Sequence, residues 1–295
     1  MESALIADIK RMTLHDGPGI RSTVFVKGCP LRCLWCHNPE SISAKPQVLY
    51  HENLCLHCGN CDALCPEQAI HCGIIDRSKC TGCGSCTAQC FREALTLSGK
   101  TMTTEEVFRS VMRDTAFYGT DGGVTISGGE PLLYPAFTAE LFSMLRNAGI
   151  HTALDTCGEI PFAHLETVLP YTCLVLYDLK GMDPVRHKAN TGKSNERILA
   201  NLRELGRRNI PIEVRMPIIP EHNDSPEELR GAGDLLKTIP SLTKVKLLPF
   251  HSMARNKYAA AGLPDTTPQV APPDREAMER AKHLLALPEE LVYIG

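Results

Sequence analysis

The strongest constraint on this chain is where its cysteines stand. Fourteen occur in 295 residues, and twelve of them lie between Cys29 and Cys90, leaving only Cys157 and Cys173 elsewhere. Disulfide frameworks belong to small exported chains, and a chain this long builds a sizeable core without such staples. Clustered cysteines in a reducing compartment point to bound metal. Glu2, Asp8 and Lys10 interrupt the N-terminus too early for a secretory apolar segment, and no run of about 18 apolar residues offers a membrane span. A cytoplasmic protein is expected. Lys and Arg number 31 against 34 Asp and Glu, a net charge of −3, which gives neither nucleic acid nor an anionic membrane a reason to bind.

Outside the cysteine-rich stretch, strand and helix patterns alternate. Residues 21–27 read as a β-branched strand running into Gly28-Cys29, and further strands are expected at 123–127, 150–155, 173–179, 211–216 and 243–248. Helices are expected near 136–148, 194–208, 225–238 and 273–287, and Thr103-x-x-Glu106 reads as a capping box opening another that runs to about residue 116. Six βα units favour a parallel α/β barrel, or part of one, and leave a doubly wound sheet open. Distinctive residues recur where these strands end: Cys29, Gly128-Gly129-Glu130-Pro131, Asp155-Thr156, Asp178-Leu179-Lys180, Arg215 and Pro249-Phe250-His251. In α/β barrels that rim carries the active site, so one site drawn from six strand ends is expected. The cysteine-rich stretch itself reads as an inserted module at 46–98, which divides the rest into 1–45 and 99–295.

Cys29-Pro-Leu-Arg-Cys33-Leu-Trp-Cys36 offers three thiolates within eight residues and no fourth at similar spacing. A cubane cluster held by three cysteines keeps one iron open to a ligand. The competing reading is a zinc site borrowing His37, although zinc sites are usually built from separated C-x2–4-C pairs. The Cx3Cx2C spacing, with an aromatic before its third cysteine, resembles the radical S-adenosylmethionine (SAM) enzymes. Asp16-Gly-Pro-Gly-Ile-Arg21 upstream, Cys36-His37-Asn38, and the later GGEP, DLK and PFH segments are together similar to the glycyl-radical-enzyme activases, relatives of the pyruvate formate-lyase activating enzyme. The resemblance spans nearly the whole chain. It implies a partial (β/α)6 TIM-like barrel whose open iron is chelated by the amino and carboxylate groups of SAM. It further implies that Gly128, Gly129 and Glu130 receive the methionine amino group, and that Asp178, Leu179, Lys180 and His251 border the site. Asp155 and Thr156 would lie beside the SAM carboxylate and Trp35 and His37 near adenine. Arg215 could contact SAM or substrate, and Asp16 the partner's glycine loop.

Within the module, Cys55-x2-Cys58-x2-Cys61-x3-Cys65 and Cys80-x2-Cys83-x2-Cys86-x3-Cys90 repeat at an offset of 25 residues. This is the bacterial two-cluster ferredoxin pattern, in which the fourth cysteine of each run serves the other cluster. One [4Fe-4S] cluster is therefore expected on Cys55, Cys58, Cys61 and Cys90, and another on Cys65, Cys80, Cys83 and Cys86, giving three clusters in all. A pair of zinc ribbons would leave the third cysteine of each run unexplained. Phe91 stands where the second run would carry proline, and Cys72 has no place in the pattern.

The resemblance implies an activase. SAM would be cleaved reductively to a 5′-deoxyadenosyl radical that takes hydrogen from a glycine of a large partner, a glycyl radical enzyme, with electrons from an external donor such as flavodoxin or ferredoxin. Two alternatives share some of these features. A radical SAM enzyme acting on a small molecule or peptide would share every cluster residue, and a polyferredoxin-like electron carrier would leave the three-cysteine site and the strand-end residues unexplained.

Overall fold

The protein is described by a computed structural model of residues 1–295. Its strands in chain order are β1 (Ser3–Thr13), β2 (Arg21–Val26), β3 (Gln47–Tyr50), β4 (Ile70–His71), β5 (Ile74–Ile75), β6 (Leu95–Ser98), β7 (Lys100–Thr103), β8 (Gly123–Gly128), β9 (His151–Thr156), β10 (Leu174–Asp178), β11 (Ile212–Ile218), β12 (Leu242–Pro249) and β13 (Val292–Ile294). Nine of them form one sheet in the order β13-β12-β11-β10-β9-β8-β2-β1-β7. From β2 to β13 all neighbours are parallel, whereas β1 runs antiparallel to both β2 and β7. The parallel strands follow one another in space as they do in sequence. A doubly wound sheet would reverse direction about its first strands, so that alternative is excluded.

The six expected parallel strands are β2, β8, β9, β10, β11 and β12, each within two residues of its expected bounds at either end. The apolar run of β10 fits burial on both faces, as parallel sheets require, whereas β11 and β12 alternate apolar with polar or charged residues. Val24, Val26, Val124, Ile126, Leu154, Val175, Val214 and Val245 all belong to one core of buried residues. Helices Pro135–Asn147, Glu196–Leu205, Pro226–Leu236 and Arg275–Leu284 pack apolar faces onto it, through residues such as Phe142, Leu202, Leu236 and Met278. The expected capping box is present: the Thr103 hydroxyl accepts from Glu106 N at 3.3 Å, and Thr103 N donates to the Glu106 carboxylate at 2.8 Å. Its helix is shorter than expected, however. It ends at Val111 and gives way to a tight turn at Met112–Asp114, where the Asp114 carboxylate is drawn down to Arg11 (2.7 Å) and the buried Ser22 hydroxyl (2.7 Å).

Residues 47–98 begin and end in one antiparallel pair, β3 with β6, which stands apart from the large sheet. Val48, Ile70, Cys86 and Leu95 form a small separate core there, bordered by Cys61, Cys65, Cys80 and Cys90. No helix of the chain is long and apolar enough to cross a membrane.

Candidate functional site

Beyond β2 the chain makes the three-cysteine loop, and the cysteines open into a cavity of about 200 Å3 at the C-terminal ends of the parallel strands. Cys29, Cys33, Trp35, Cys36 and His37 line one side of it. Gly128 and Gly129 at the end of β8, Asp155 and Thr156 at the end of β9, and Asp178 and Lys180 at the end of β10 line much of the rest. The rim expected from the strand ends is therefore assembled. Burial pushes the Cys33 thiol up to about 12 and the Cys36 thiol up to about 11. Cys29 is instead lowered, chiefly by the adjoining Cys157, which is itself pushed up. Three cysteines outside any disulfide, two of them held protonated by burial, form a donor set that a cation would convert to thiolates, so the site fits the implied cluster.

Glycine is required at the strand end for packing. A Cβ on Gly129 would lie 2.0 Å from the Gly28 carbonyl oxygen, so β2 and β8 can close together here only without a side chain. Lys180 Nζ lies 2.6 Å from Asp178, and both are largely buried. Burial works against the lysine's charge, but Asp178 and Cys33 outweigh it and raise its pKa. Asp155 accepts from the Ser127 hydroxyl at 2.6 Å through one oxygen, while its other oxygen is buried without a partner. Burial pushes this carboxyl up to about 7 against the pull of Arg215.

Four expected residues stand behind the lining instead of in it. Glu130 is fully buried: one carboxylate oxygen accepts from Leu132 N (3.1 Å) and the Thr156 hydroxyl (2.8 Å), the other from Cys157 N (2.9 Å). Leu179 belongs to the core and donates its N–H to the Arg215 carbonyl at 2.9 Å. Arg215 lies within β11, which continues to Ile218, and not at its end. It is 3.6 Å from Asp155 and from Glu213 and donates to the His15 carbonyl at 2.8 Å. His251 stacks on His37, with ring centroids 4.2 Å apart. Asp16 lies in the segment that crosses the sheet from β1 to β2: its carboxylate accepts from Thr23 (2.8 Å) and its carbonyl from Thr125 (2.6 Å). Leu31, Asn38, Ser127, Cys157, Pro217, Ile219, Leu248, Pro249 and Phe250 complete the cavity without having been singled out as ligands. Pro249 and Phe250 belong to an expected strand-end motif, Asn38 follows the three-cysteine motif, and the others are marked in the sequence only by nearness to such motifs.

The module's cysteines fall into two further cavities. Cys55, Cys58, Cys61 and Cys90 line one, and Cys65, Cys80 and Cys83 line the other, with Cys86 bordering both. The fourth cysteine of each run thus sits with the other run's set. Cys72 joins the first group at the cavity wall.

The Radical SAM superfamily model matches residues 23–231. The (2S)-3-sulfopropanediol dehydratase activating enzyme of Klebsiella oxytoca is 40% identical over 272 residues, covering 88% of this chain and 86% of that protein. The indoleacetate decarboxylase activating enzyme of Tractidigestivibacter scatoligenes is 39% identical over 298 residues, covering 96% and 94%. Among solved structures, a domain of a pyruvate-formate lyase-activating enzyme from Bacteroides vulgatus superposes with a TM-score of 0.50 at 28% identity, covering 59% of this chain and 99% of that one. Motif order, strand-end cavity and these likenesses agree that the chain belongs to the radical SAM superfamily, as one of its glycyl radical enzyme activating enzymes.

Proposed function

We propose that this enzyme holds three [4Fe-4S] clusters, one open to SAM on Cys29, Cys33 and Cys36 and two in a ferredoxin-like insert at residues 46–98, and that residues 1–45 and 99–295 form a partial (β/α)6 barrel around the reaction. The carrying observation is the single cavity onto which the three cysteines, Gly129, Asp155, Asp178 and Lys180 all open. When bound, SAM and the open cluster supply a carbon radical that takes hydrogen from a glycine of the partner enzyme.

The chain's own part is to bind, orient and exclude water. The Gly128-Gly129 backbone lines the cavity and would meet the methionine end, held in place by its close packing on β2 and by Glu130 fixing the adjoining turn from behind. The unpartnered oxygen of Asp155 is an acceptor and suits a hydroxyl or ammonium of SAM, leaving Thr156 beside the carboxylate. Lys180, kept charged by Asp178, places a cation against the cluster side of the cavity. Trp35, packed with Ile219 and Phe250, gives an apolar wall for adenine, and His37 with His251 closes that side. Asp16 and Arg215, joined through the His15 carbonyl, stand on the inner face of the sheet, where the partner's glycine loop would enter. The insert's closed clusters suit electron transfer from an external donor such as flavodoxin or ferredoxin, and fourteen cysteines without a disulfide among them suit a reducing cytoplasm.

Mössbauer and electron paramagnetic resonance (EPR) spectra of the anaerobically reconstituted protein test the assignment. Iron for three clusters is expected, with SAM perturbing one iron site only, and that response is lost in Cys33→Ala. A protein with iron for a single cluster, or one whose iron ignores SAM, would overturn it.

A further inference from the structure

Lys257 lies 220 residues beyond His37 in sequence, yet its ammonium is bound to the segment following the third cysteine. It donates to the His37 carbonyl (2.8 Å), to Asn38 Oδ1 (2.8 Å) and to Glu40 Oε1 (3.1 Å). A second lysine holds the same segment, because the fully buried Lys27 donates to the Glu40 carbonyl. Just beyond, Gly28 N donates to the Ser41 carbonyl (2.8 Å) and Cys29 N to the Ile42 carbonyl (3.1 Å). Residues 37–42 therefore tie together both ends of the loop that carries Cys29, Cys33 and Cys36. Side chains that orient ligands from behind a metal site govern how well it holds its metal.

The helix that carries Lys257, Arg255–Ala261, is also where the cysteine-rich module is seated. Arg77 donates to the Ala260 carbonyl (3.0 Å) and to the Val48 carbonyl, and Gln47 donates to the Ala261 carbonyl (2.6 Å). The neck of the module touches the other lysine, since a Cβ on Gly99 would lie 2.7 Å from the Lys27 side chain. One helix thus receives the module at its C-terminal end and clamps the three-cysteine loop from its middle.

We propose that Lys257 is a positioning residue for the three-cysteine site, and that its helix makes the seating of residues 46–98 a determinant of that site's grip on its open iron. This rests on the ligation proposed above. The test is a chelator titration of the reconstituted, reduced enzyme with SAM, following the SAM-responsive EPR signal apart from the signals of the insert. In Lys257→Met that signal is expected to disappear at chelator concentrations about 10–100-fold lower than in wild type, the range typical of such supporting partners. Lys257→Arg is expected to recover most of the loss, Arg77→Met to show a smaller loss of the same kind, and the insert signals to stay unchanged in Lys257→Met. Should Lys257→Met not fold, Asn38→Ala decides, since it removes one of the three acceptors and is expected to shift the titration partway. A signal as resistant as wild type in the variant tested overturns the positioning role. A wild-type enzyme with no SAM-responsive signal overturns the ligation as well.

Discussion

Glu130 lends itself to a graded prediction because its partners divide unevenly between its two oxygens. Replacing it with Ala strands the buried N–H groups of Leu132 and Cys157. At about 1–3 kcal/mol for each unsatisfied amide, the cost is about 2–6 kcal/mol before any cavity is counted. Glu130→Gln is milder: its carbonyl oxygen keeps Leu132 N and the Thr156 hydroxyl, while its amide nitrogen faces only the Cys157 N–H, so one group is stranded at about 1–3 kcal/mol. Anaerobic urea unfolding of the reconstituted protein reads the difference. With a slope of roughly 3 kcal/mol per molar, the midpoint falls by about 0.7–2 M for Ala and by about half as much for Gln. The reasoning is refuted if the two variants are equally stable, or if Ala unfolds with wild type.

Three further outcomes follow from the same geometry. Cys58→Ala and Cys83→Ala are each expected to remove one cluster's worth of iron and leave the SAM-responsive signal, as iron analysis with EPR would register. Lys180→Met leaves Asp178 without its cation in the cavity, so the SAM dissociation constant measured by equilibrium dialysis is expected to rise about 30-fold or more, from a cost of roughly 2 kcal/mol or above. His151 is held near 4, below its ordinary 6.5, by burial and then by the Arg21 guanidinium. Its neutral form is favoured by folding, so its contribution is present above 6.5 and is lost as pH falls towards 4. The thermal midpoint is thus expected to fall less steeply between about pH 7 and 5 in His151→Asn than in wild type, and identical slopes would discount the effect.

What was legible in the sequence was whatever local spacing decides. The parallel strand Leu174–Asp178 announces itself as an apolar run, because both of its faces are covered, and Gly123–Gly128 is marked by its β-branched residues between glycines. The antiparallel β1 escaped notice, since beyond Ile6 its side chains are exposed or half-exposed and its charges at Asp8 and Lys10 break the pattern. Cys65 and Cys90 could be exchanged between cavities on spacing alone, because the repeat carries a known connectivity. Glu130 was harder. GGEP marks a strand end, but which way its carboxylate turns is set by Thr156 and Cys157, more than twenty residues on. Lys257 has no role legible in the sequence, because its partners become neighbours only when its helix packs against the segment after Cys36. In each missed case the deciding group is distant in sequence and close in space.

The measurement that bears most directly on the whole account uses fully loaded, reduced enzyme, SAM and purified glycyl radical enzymes, with EPR and 5′-deoxyadenosine read in each tube. The account predicts a carbon-radical doublet on one partner, formed together with 5′-deoxyadenosine and collapsing to a singlet when that partner's glycine carries deuterium at Cα. Loaded enzyme that leaves SAM uncleaved, or that cleaves it while its cognate partner stays free of any radical, would contradict it.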